Sequence, residues 1–257
     1  MESLKNKIVL ITGASSGIGK ACALAFAKEG VNIILAARRL DNLKNIASSL
    51  AKEYNSKILT AELDVRDYEK VKSTISNLTE EWKQIDILVN NAGLARGSSA
   101  LYEGEVEHWE EMIDTNIKGL LYVTRQVLPS MVERENGHII NIGSTAGHEA
   151  YRNGNVYCAT KFAVNALTQS IRLDVLEKNI RVSTVDPGMV RTEFSNVRFS
   201  GDKEKVEKVY EGINPLSAED VAEAVIFCAT RPSHVNINEI IITTAAQASS
   251  TQIYRKK

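Results

Sequence analysis

Tyr157 and Lys161 stand four residues apart, with Ser144 upstream and a glycine-rich turn, Gly13-Ala-Ser-Ser-Gly17-Ile-Gly19, near the N-terminus. On a helix, residues i and i+4 share a face, so the phenol and the ammonium can stand side by side above whatever the glycine turn holds. A phenol beside a cation can exchange a proton with a substrate, and a glycine turn opening a helix can cradle a pyrophosphate. Together they describe a place to move a proton beside a hydride. Spacing alone does not carry this reading: Tyr68-Glu-Lys-Val-Lys72 has the same spacing in a charged helix with no serine-bearing strand end before it, and reads as surface. Asn141-Ile-Gly-Ser144 ends a strand-like run just ahead of Tyr157, so hydroxyl and phenol converge on one crevice.

These residues must be positioned by a regular succession of elements. Short apolar, β-branched runs recur at Ile8–Thr12, Asn32–Ala36, Lys57–Leu63, Ile85–Asn90, His138–Ile142, Arg181–Val185 and Ile237–Ile242, each of strand length and composition. Helical patterns separate them: Ile18–Glu29 closed by Gly30, Asp41–Tyr54 with Asp41 as N-cap, Tyr68–Trp82, Trp109–Met131, Asn155–Glu177 and Ala218–Thr230. Ser217-Ala-Glu-Asp220 has the spacing of a capping box. Strands apolar on both faces, each followed by a crossover helix, specify an α/β fold: a doubly wound parallel sheet of about seven strands with helices on both faces. No linker, internal repeat or low-complexity tract divides the chain, so residues 1–257 are expected to form one domain. Phe194–Asn214 reads as the irregular part, a lid or substrate loop.

The glycine turn follows the first strand and runs straight into a helix, the setting in which glycines let backbone approach a pyrophosphate. Its spacing, G-x-x-x-G-x-G, differs from the G-x-G-x-x-G dinucleotide fingerprint, so strand before and helix after carry the argument. The second strand ends Ala36-Ala37-Arg38-Arg39. An acid here would bind the ribose 2′-hydroxyl of NAD, whereas arginine accommodates a 2′-phosphate; NADP is therefore the expected cofactor, the alternative being a solvated arginine pair. Asp64, before Val65 at the third strand end, could accept from an adenine amino group. Asn91, in Asn90-Asn-Ala-Gly93, is either a cofactor contact or a turn-former tying strand four to its neighbours.

Composition narrows the function classes. The chain of 257 residues carries 31 basic and 32 acidic residues, a net charge of -1, which provides no field for nucleic acid or an anionic membrane. Cys22, Cys158 and Cys228 are widely spaced and lack a CxxC, which fits a reducing, cytoplasmic setting. The N-terminal residues lead directly into the first strand with no signal-like stretch, and no apolar run approaches a membrane span. His108, His138, His148 and His234 show no ligand spacing, so no metal is expected, and Cys158 reads as a packed thiol.

Thr12-Gly-Ala-Ser-Ser-Gly-Ile-Gly19, Asn90-Asn-Ala-Gly93, Asn116, Ser144, Tyr157-x-x-x-Lys161 and Pro187-Gly188, in this order over nearly the whole chain, resemble the short-chain dehydrogenase/reductase family. The resemblance implies a Rossmann-type sheet of seven parallel strands, an NADP-dependent oxidoreductase and a homotetramer, for which apolar stripes on Trp109–Met131 and Asn155–Glu177 offer contacts. It implies that Tyr157 is the general acid/base, that Lys161 holds the nicotinamide ribose and favours phenolate, and that Ser144 bonds the substrate oxygen. Asn116 would anchor a water relaying the proton from Lys161, or else serve as a helix-interior amide. Cofactor contacts would come from Gly13, Ser15, Ser16, Gly17, Ile18, Gly19, Arg38, Arg39, Asp64, Val65, Asn91, Ala92, Gly93, Tyr157, Lys161, Pro187, Gly188, Val190 and Thr192.

Asp114-Thr-Asn-Ile-Lys-Gly119, the run 137–147, Thr192-Glu-Phe-Ser-Asn-Val-Arg-Phe199 and the tail 247–255 are further similar to the branch of the family acting on short 3-hydroxy acids such as serine and allo-threonine. Pro187-Gly-Met-Val-Arg-Thr192 is one residue shorter than in some bacterial members. Such a substrate needs a cation for its carboxylate; Arg198 is the first candidate, with Arg152 and Arg191 next. A 3-oxoacyl-thioester, steroid or sugar reductase, and a non-catalytic NADP(H)-sensing protein, remain the alternatives.

Overall fold

A computed structural model describes residues 2–54 and 56–256 of the chain. Seven parallel strands form one sheet: β1 (Ile8–Thr12), β2 (Asn32–Ala37), β3 (Ile58–Glu62), β4 (Ile87–Asn90), β5 (Gly137–Ile142), β6 (Ile180–Pro187) and β7 (Glu239–Ile242), in the order β3-β2-β1-β4-β5-β6-β7. β1, β4 and β5 are buried along their whole length, because helices cover both faces. On one face Phe26, Leu43, Val221 and Val225, from α1 (Gly17–Lys28), α2 (Leu40–Glu53) and the helix Ala218–Ala229, pack against Val9, Ile11 and Ile140. On the other, Val71, Val123, Met131 and Ile171 pack against Leu10, Leu88 and Ile139. Successive strand residues thus serve opposite cores, and each fully buried aliphatic contributes about 1.5–3 kcal/mol. Strand order reverses between β1 and β4, whose outgoing connections diverge and open a crevice at their carboxyl ends.

Several helices differ from the sequence expectation. The run Tyr68–Trp82 is two helices, α3 (Tyr68–Ser76) and α4 (Glu80–Lys83), interrupted after Asn77; asparagine favours caps and turns over helix interiors. The run Trp109–Met131 lies within α5 (Val106–Ile113) and α6 (Leu120–Arg134), joined through a π-helical turn at Asp114–Gly119. Such turns occur frequently at functional sites, and this one carries Asn116. α7 (Asn155–Asp174) ends before a 3-10 turn at Leu176–Lys178. Asp41 does not cap α2: the N-cap is Arg39, and Asp41 lies in the first turn, where a carboxylate meets the positive helix end. Phe194–Asn214 is not irregular, since it holds α8 (Phe194–Arg198) and α9 (Lys203–Tyr210). The capping box at α10 (Ala218–Ala229) forms in full: Ser217 N–H donates to Asp220 Oδ2 at 2.7 Å and Asp220 N–H to Ser217 Oγ at 3.2 Å. Among the described residues no helix is long and apolar enough to cross a membrane.

Candidate active site

The glycine turn reaches its shape through two residues with positive φ, Gly13 at 63° and Gly17 at 52°, where any other residue would be strained. Gly19 answers a different need. A Cβ there would stand 2.5 Å from both Asn91 Nδ2 and Gly13 O, so only glycine lets the turn close beneath β4. Asn91 is the tie: its Nδ2 donates to Thr12 O at 2.9 Å and Gly13 O at 3.2 Å, while Thr12 Oγ1 accepts from the backbone N–H groups of Asn91 and Ala92, both at 3.0 Å. Of the two readings of Asn91, its side chain therefore serves the turn-forming one, although the residue also lines the cleft.

A cleft of about 360 Å³ opens above this turn. It is lined by Gly13, Ser15, Ser16, Gly17 and Ile18, by Arg38 and Arg39, by Asp64 and Val65, by Asn91, Ala92 and Gly93, by Ser144, Tyr157 and Lys161, and by Pro187, Gly188, Val190 and Thr192. Gly19 lies behind it, packed under Asn91. Arg39 crosses the cleft: Nε donates to Ser15 Oγ at 3.2 Å, Nη2 to Ser16 Oγ at 2.6 Å and Nη1 to Glu193 at 2.9 Å. Burial pushes the Asp64 carboxyl up, but Arg66, whose Nη2 lies 2.6 Å away, outweighs this and holds it below the ordinary aspartate range. The open first turn of α1, the two serines and the arginines at the end of β2 match a dinucleotide carrying an additional phosphate; β2 itself ends without an acid, and the carboxylate that meets Arg39 is that of Glu193.

Tyr157 and Lys161 face one another from the first turns of α7, both buried. Lys161 Nζ lies 5.9 Å from the Tyr157 ring centre and donates to Ile142 O at 2.8 Å. Burial drives the phenol of Tyr157 above the ordinary tyrosine range, aided by Tyr151, while Ser144 and Arg198 pull the other way. Burial draws the ammonium of Lys161 down to about 8, with Asp186 opposing. Ser144 Oγ accepts from Ala146 N–H at 3.1 Å, which leaves its own proton to direct into the cleft. The other Tyr-x-x-x-Lys pair lies elsewhere: the Tyr68 ring, at the start of α3, meets that of Tyr122 on α6 at a tilt, with ring centres 5.1 Å apart.

Asn116 does not line the cleft. Its Oδ1 accepts from Leu94 N–H at 2.8 Å, and its Nδ2 donates to Leu94 O at 2.8 Å and Thr160 Oγ1 at 3.0 Å, so the side chain does what a helix-interior amide does. A Cβ at Gly93 would lie 3.3 Å from Asn116 Oδ1 and 3.8 Å from Lys161 Nζ. That glycine keeps a polar space between them.

A second cleft, of about 210 Å³, shares Ser144, Tyr157, Gly188, Val190 and Phe194 with the first and adds Arg198, Tyr151 and Gln247. Arg198 donates from Nε to Gly97 O at 3.0 Å and from Nη1 to Tyr151 OH at 3.0 Å, leaving further guanidinium N–H groups free to bind. Arg191 instead pairs with Glu207 at 3.3 Å and stacks on Tyr210, and Arg152, like it, lines neither cleft. Tyr151 and Gln247 escaped the sequence reading because no motif marks them; a glycine at 188, where any Cβ would run into the Gln247 amide, was the available hint. The three cysteines are buried. His148 meets two acids: its Nε2 lies 2.9 Å from Asp186 Oδ2 and 3.3 Å from Glu239 Oε1, a cluster invisible to spacing because its members come from separate elements.

The short chain dehydrogenase family model matches residues 7–203. With the parallel sheet, the two clefts meeting at Ser144 and Tyr157, and Lys161 beside them, the chain belongs to this family of oxidoreductases. It is 48% identical over 242 residues, 94% of this chain and 96% of the relative, to the NADP-dependent 3-hydroxy acid dehydrogenase YdfG of Salmonella typhi. It is 42% identical over 258 residues, covering all of both chains, to an NADP-dependent 3-hydroxy acid dehydrogenase of Schizosaccharomyces pombe. Its structure resembles the closed form of a serine dehydrogenase complexed with NADP+, with a TM-score of 0.90 and 45% identity over 97% of this chain and 100% of that one.

Proposed function

We propose that this protein is an NADP-dependent dehydrogenase interconverting short 3-hydroxy acids, of the serine and allo-threonine kind, with their 3-oxo acids or semialdehydes. The observation that carries the reading is the junction of two clefts at Ser144 and Tyr157, one shaped for a dinucleotide and the other lined by Arg198. The kinship with 3-hydroxy acid dehydrogenases and with a serine dehydrogenase supports it.

Ser15, Ser16 and the α1 amides would take the pyrophosphate, Arg38 and Arg39 the 2′-phosphate, and Lys161 the nicotinamide ribose. Bound there, NADP+ supplies the acceptor for the hydride leaving the carbinol carbon. Tyr157 removes the hydroxyl proton as that hydride departs, and Ser144 steadies the charge gathering on the oxygen. Burial opposes phenolate, so the positive charge of Lys161 is needed to bring Tyr157 into working range. A water in the space beside Gly93, between Asn116 and Lys161, would carry the proton onward. Arg198 pairs with the substrate carboxylate.

The whole chain acts as one domain in the cytoplasm, without nucleic acid or metal. Half-exposed apolar residues on α5, α6 and α7, among them Val106, Leu121 and Phe162, are the contacts of a homotetramer. NADP+ reduction measured across serine, threonine stereoisomers, 3-hydroxypropionate and 3-hydroxyisobutyrate, with NAD+ in parallel, tests the reading. Activity confined to bulky uncharged alcohols or ketones would overturn it, as would equal rates with NAD+.

A further inference from the structure

Lys161 has a charged neighbour outside both clefts. Asp186, near the carboxyl end of β6, is fully buried. Its Oδ1 accepts from Thr184 Oγ1 at 2.6 Å and its Oδ2 meets His148 Nε2 at 2.9 Å. The carboxylate fills the space where a side chain at residue 143 would stand, so Gly143 is glycine for the sake of Asp186. The preceding carbonyl, Ile142 O, is the one that receives Lys161 Nζ at 2.8 Å. A buried carboxylate is thus pressed against the strand end that anchors the buried ammonium. A buried charge without an opposite charge nearby is costly and tends to neutralise.

We propose that Asp186 is a positioning residue whose ionised carboxylate, held by His148, keeps Lys161 charged behind Tyr157, and that His148 and Glu239 set the pH range over which it does so. The groups facing Asp186 are His148 from the turn after β5, Glu239 from β7 and Lys161 from α7, with neutral Thr184 and Asn165 beside them. Asn165 Nδ2 lies 3.2 Å from His148 Nε2, one turn of α7 beyond Lys161, so the cluster and the lysine share a helix face. Burial pushes the Asp186 carboxyl up to about 6, with Glu239 adding to the rise and Thr184 and His148 opposing it. Burial works against both charges, raising the Asp186 carboxyl and lowering the Lys161 ammonium, so each charge favours the other and the pair is lost when either is neutralised.

The inference rests on the proposed role of Lys161, and its test does not depend on the substrate. In the full-length protein without nucleotide, the [ε-13C]lysine NMR signal that disappears in Lys161→Met reports the titration of Lys161. Asp186→Asn is expected to lower its midpoint by on the order of one pH unit. His148→Gln, which makes Asp186 harder to ionise, should lower it by less, and Glu239→Gln should not lower it. In turnover, the acidic limb of kcat/KM for alcohol oxidation should move to higher pH in Asp186→Asn, because a weaker lysine charge leaves the phenol harder to ionise. A folded Asp186→Asn protein with an unmoved Lys161 midpoint overturns the proposal. Should Asp186→Asn not fold, an unmoved midpoint in His148→Gln does the same. A shifted midpoint in a protein inactive on every 3-hydroxy acid would instead refute the assigned substrate and leave Asp186 in its role.

Discussion

Replacing Arg39 by alanine should sharply reduce the preference for NADP+ over NAD+, leaving Arg38 as the remaining cation at this strand end. Arg39 spends its N–H groups on Ser15, Ser16 and Glu193. The pair with Glu193 is half-exposed on both sides, at 49% and 54%, so it contributes no more than about 1 kcal/mol and is screened by salt. A 2′-phosphate taking the place of that carboxylate gains at least one charge-assisted hydrogen bond, worth about 1.5–3 kcal/mol. After loss of the exposed pair, about 0.5–3 kcal/mol remains, which is roughly a 2- to 160-fold difference in affinity. Arg39→Ala should therefore weaken NADP+ binding by about that factor and NAD+ binding by less than about threefold. Glu193→Gln, which removes the competing carboxylate, should tighten NADP+ by about two- to fivefold. Calorimetric titration of both nucleotides at low and moderate salt measures these constants. Equal weakening of NADP+ and NAD+ in Arg39→Ala would show that the arginine only braces the two serines, and the basis for assigning NADP from this strand end would fall.

Tyr157→Phe should cut kcat by about 10²–10⁴-fold with NADP+ affinity nearly unchanged; retained turnover would remove the phenol from the proton path. Arg198→Ala should raise KM for serine by about 10- to 150-fold, against little change for an uncharged alcohol, and equal effects on both would leave the carboxylate without its partner. His138 provides a stability prediction. It is buried, bonded through Nε2 to Ser183 at 2.8 Å, and its ionisation is held well below the ordinary histidine range by burial, reinforced by Arg181 and Lys7. Above about pH 6.5 neither the folded nor the unfolded chain protonates it. Below that, only the unfolded chain does, so stability should fall by up to about 1.4 kcal/mol per pH unit. Urea unfolding at pH 7.5 and 5.5 should show this loss in the parent and its absence in His138→Gln, and identical pH dependence in both would assign it elsewhere.

Ile8–Thr12 is a strand in the sequence reading and in the structure, with the same bounds, because a short β-branched run between a charged segment and a glycine turn has few other conformations. The long helices were legible for the same local reason, but their interruptions were not. The break after Asn77 and the π turn at Asp114–Gly119 leave the hydrophobic periodicity almost intact, and periodicity is what a sequence displays. In Phe194–Asn214 the charged, glycine-punctuated composition hid α8 and α9, each too short to stand alone and held by packing instead.

What the sequence determined by itself is what neighbours along the chain dictate: strands buried on both faces, the helix-opening glycine turn, and a tyrosine and lysine one helical turn apart. The tertiary structure decided which distant side chains meet. It placed Arg198 against Tyr151 and beside Tyr157, turned the Asn116 amide toward Leu94, set Glu193 on Arg39 and brought His148 and Glu239 to Asp186. These contacts join residues on separate strand ends, helices and loops, so they follow from the order and register of seven parallel strands. Backbone sterics act within a few residues, whereas charges and buried hydrogen bonds act across a few ångströms of space, and only the assembled sheet converts the one scale into the other.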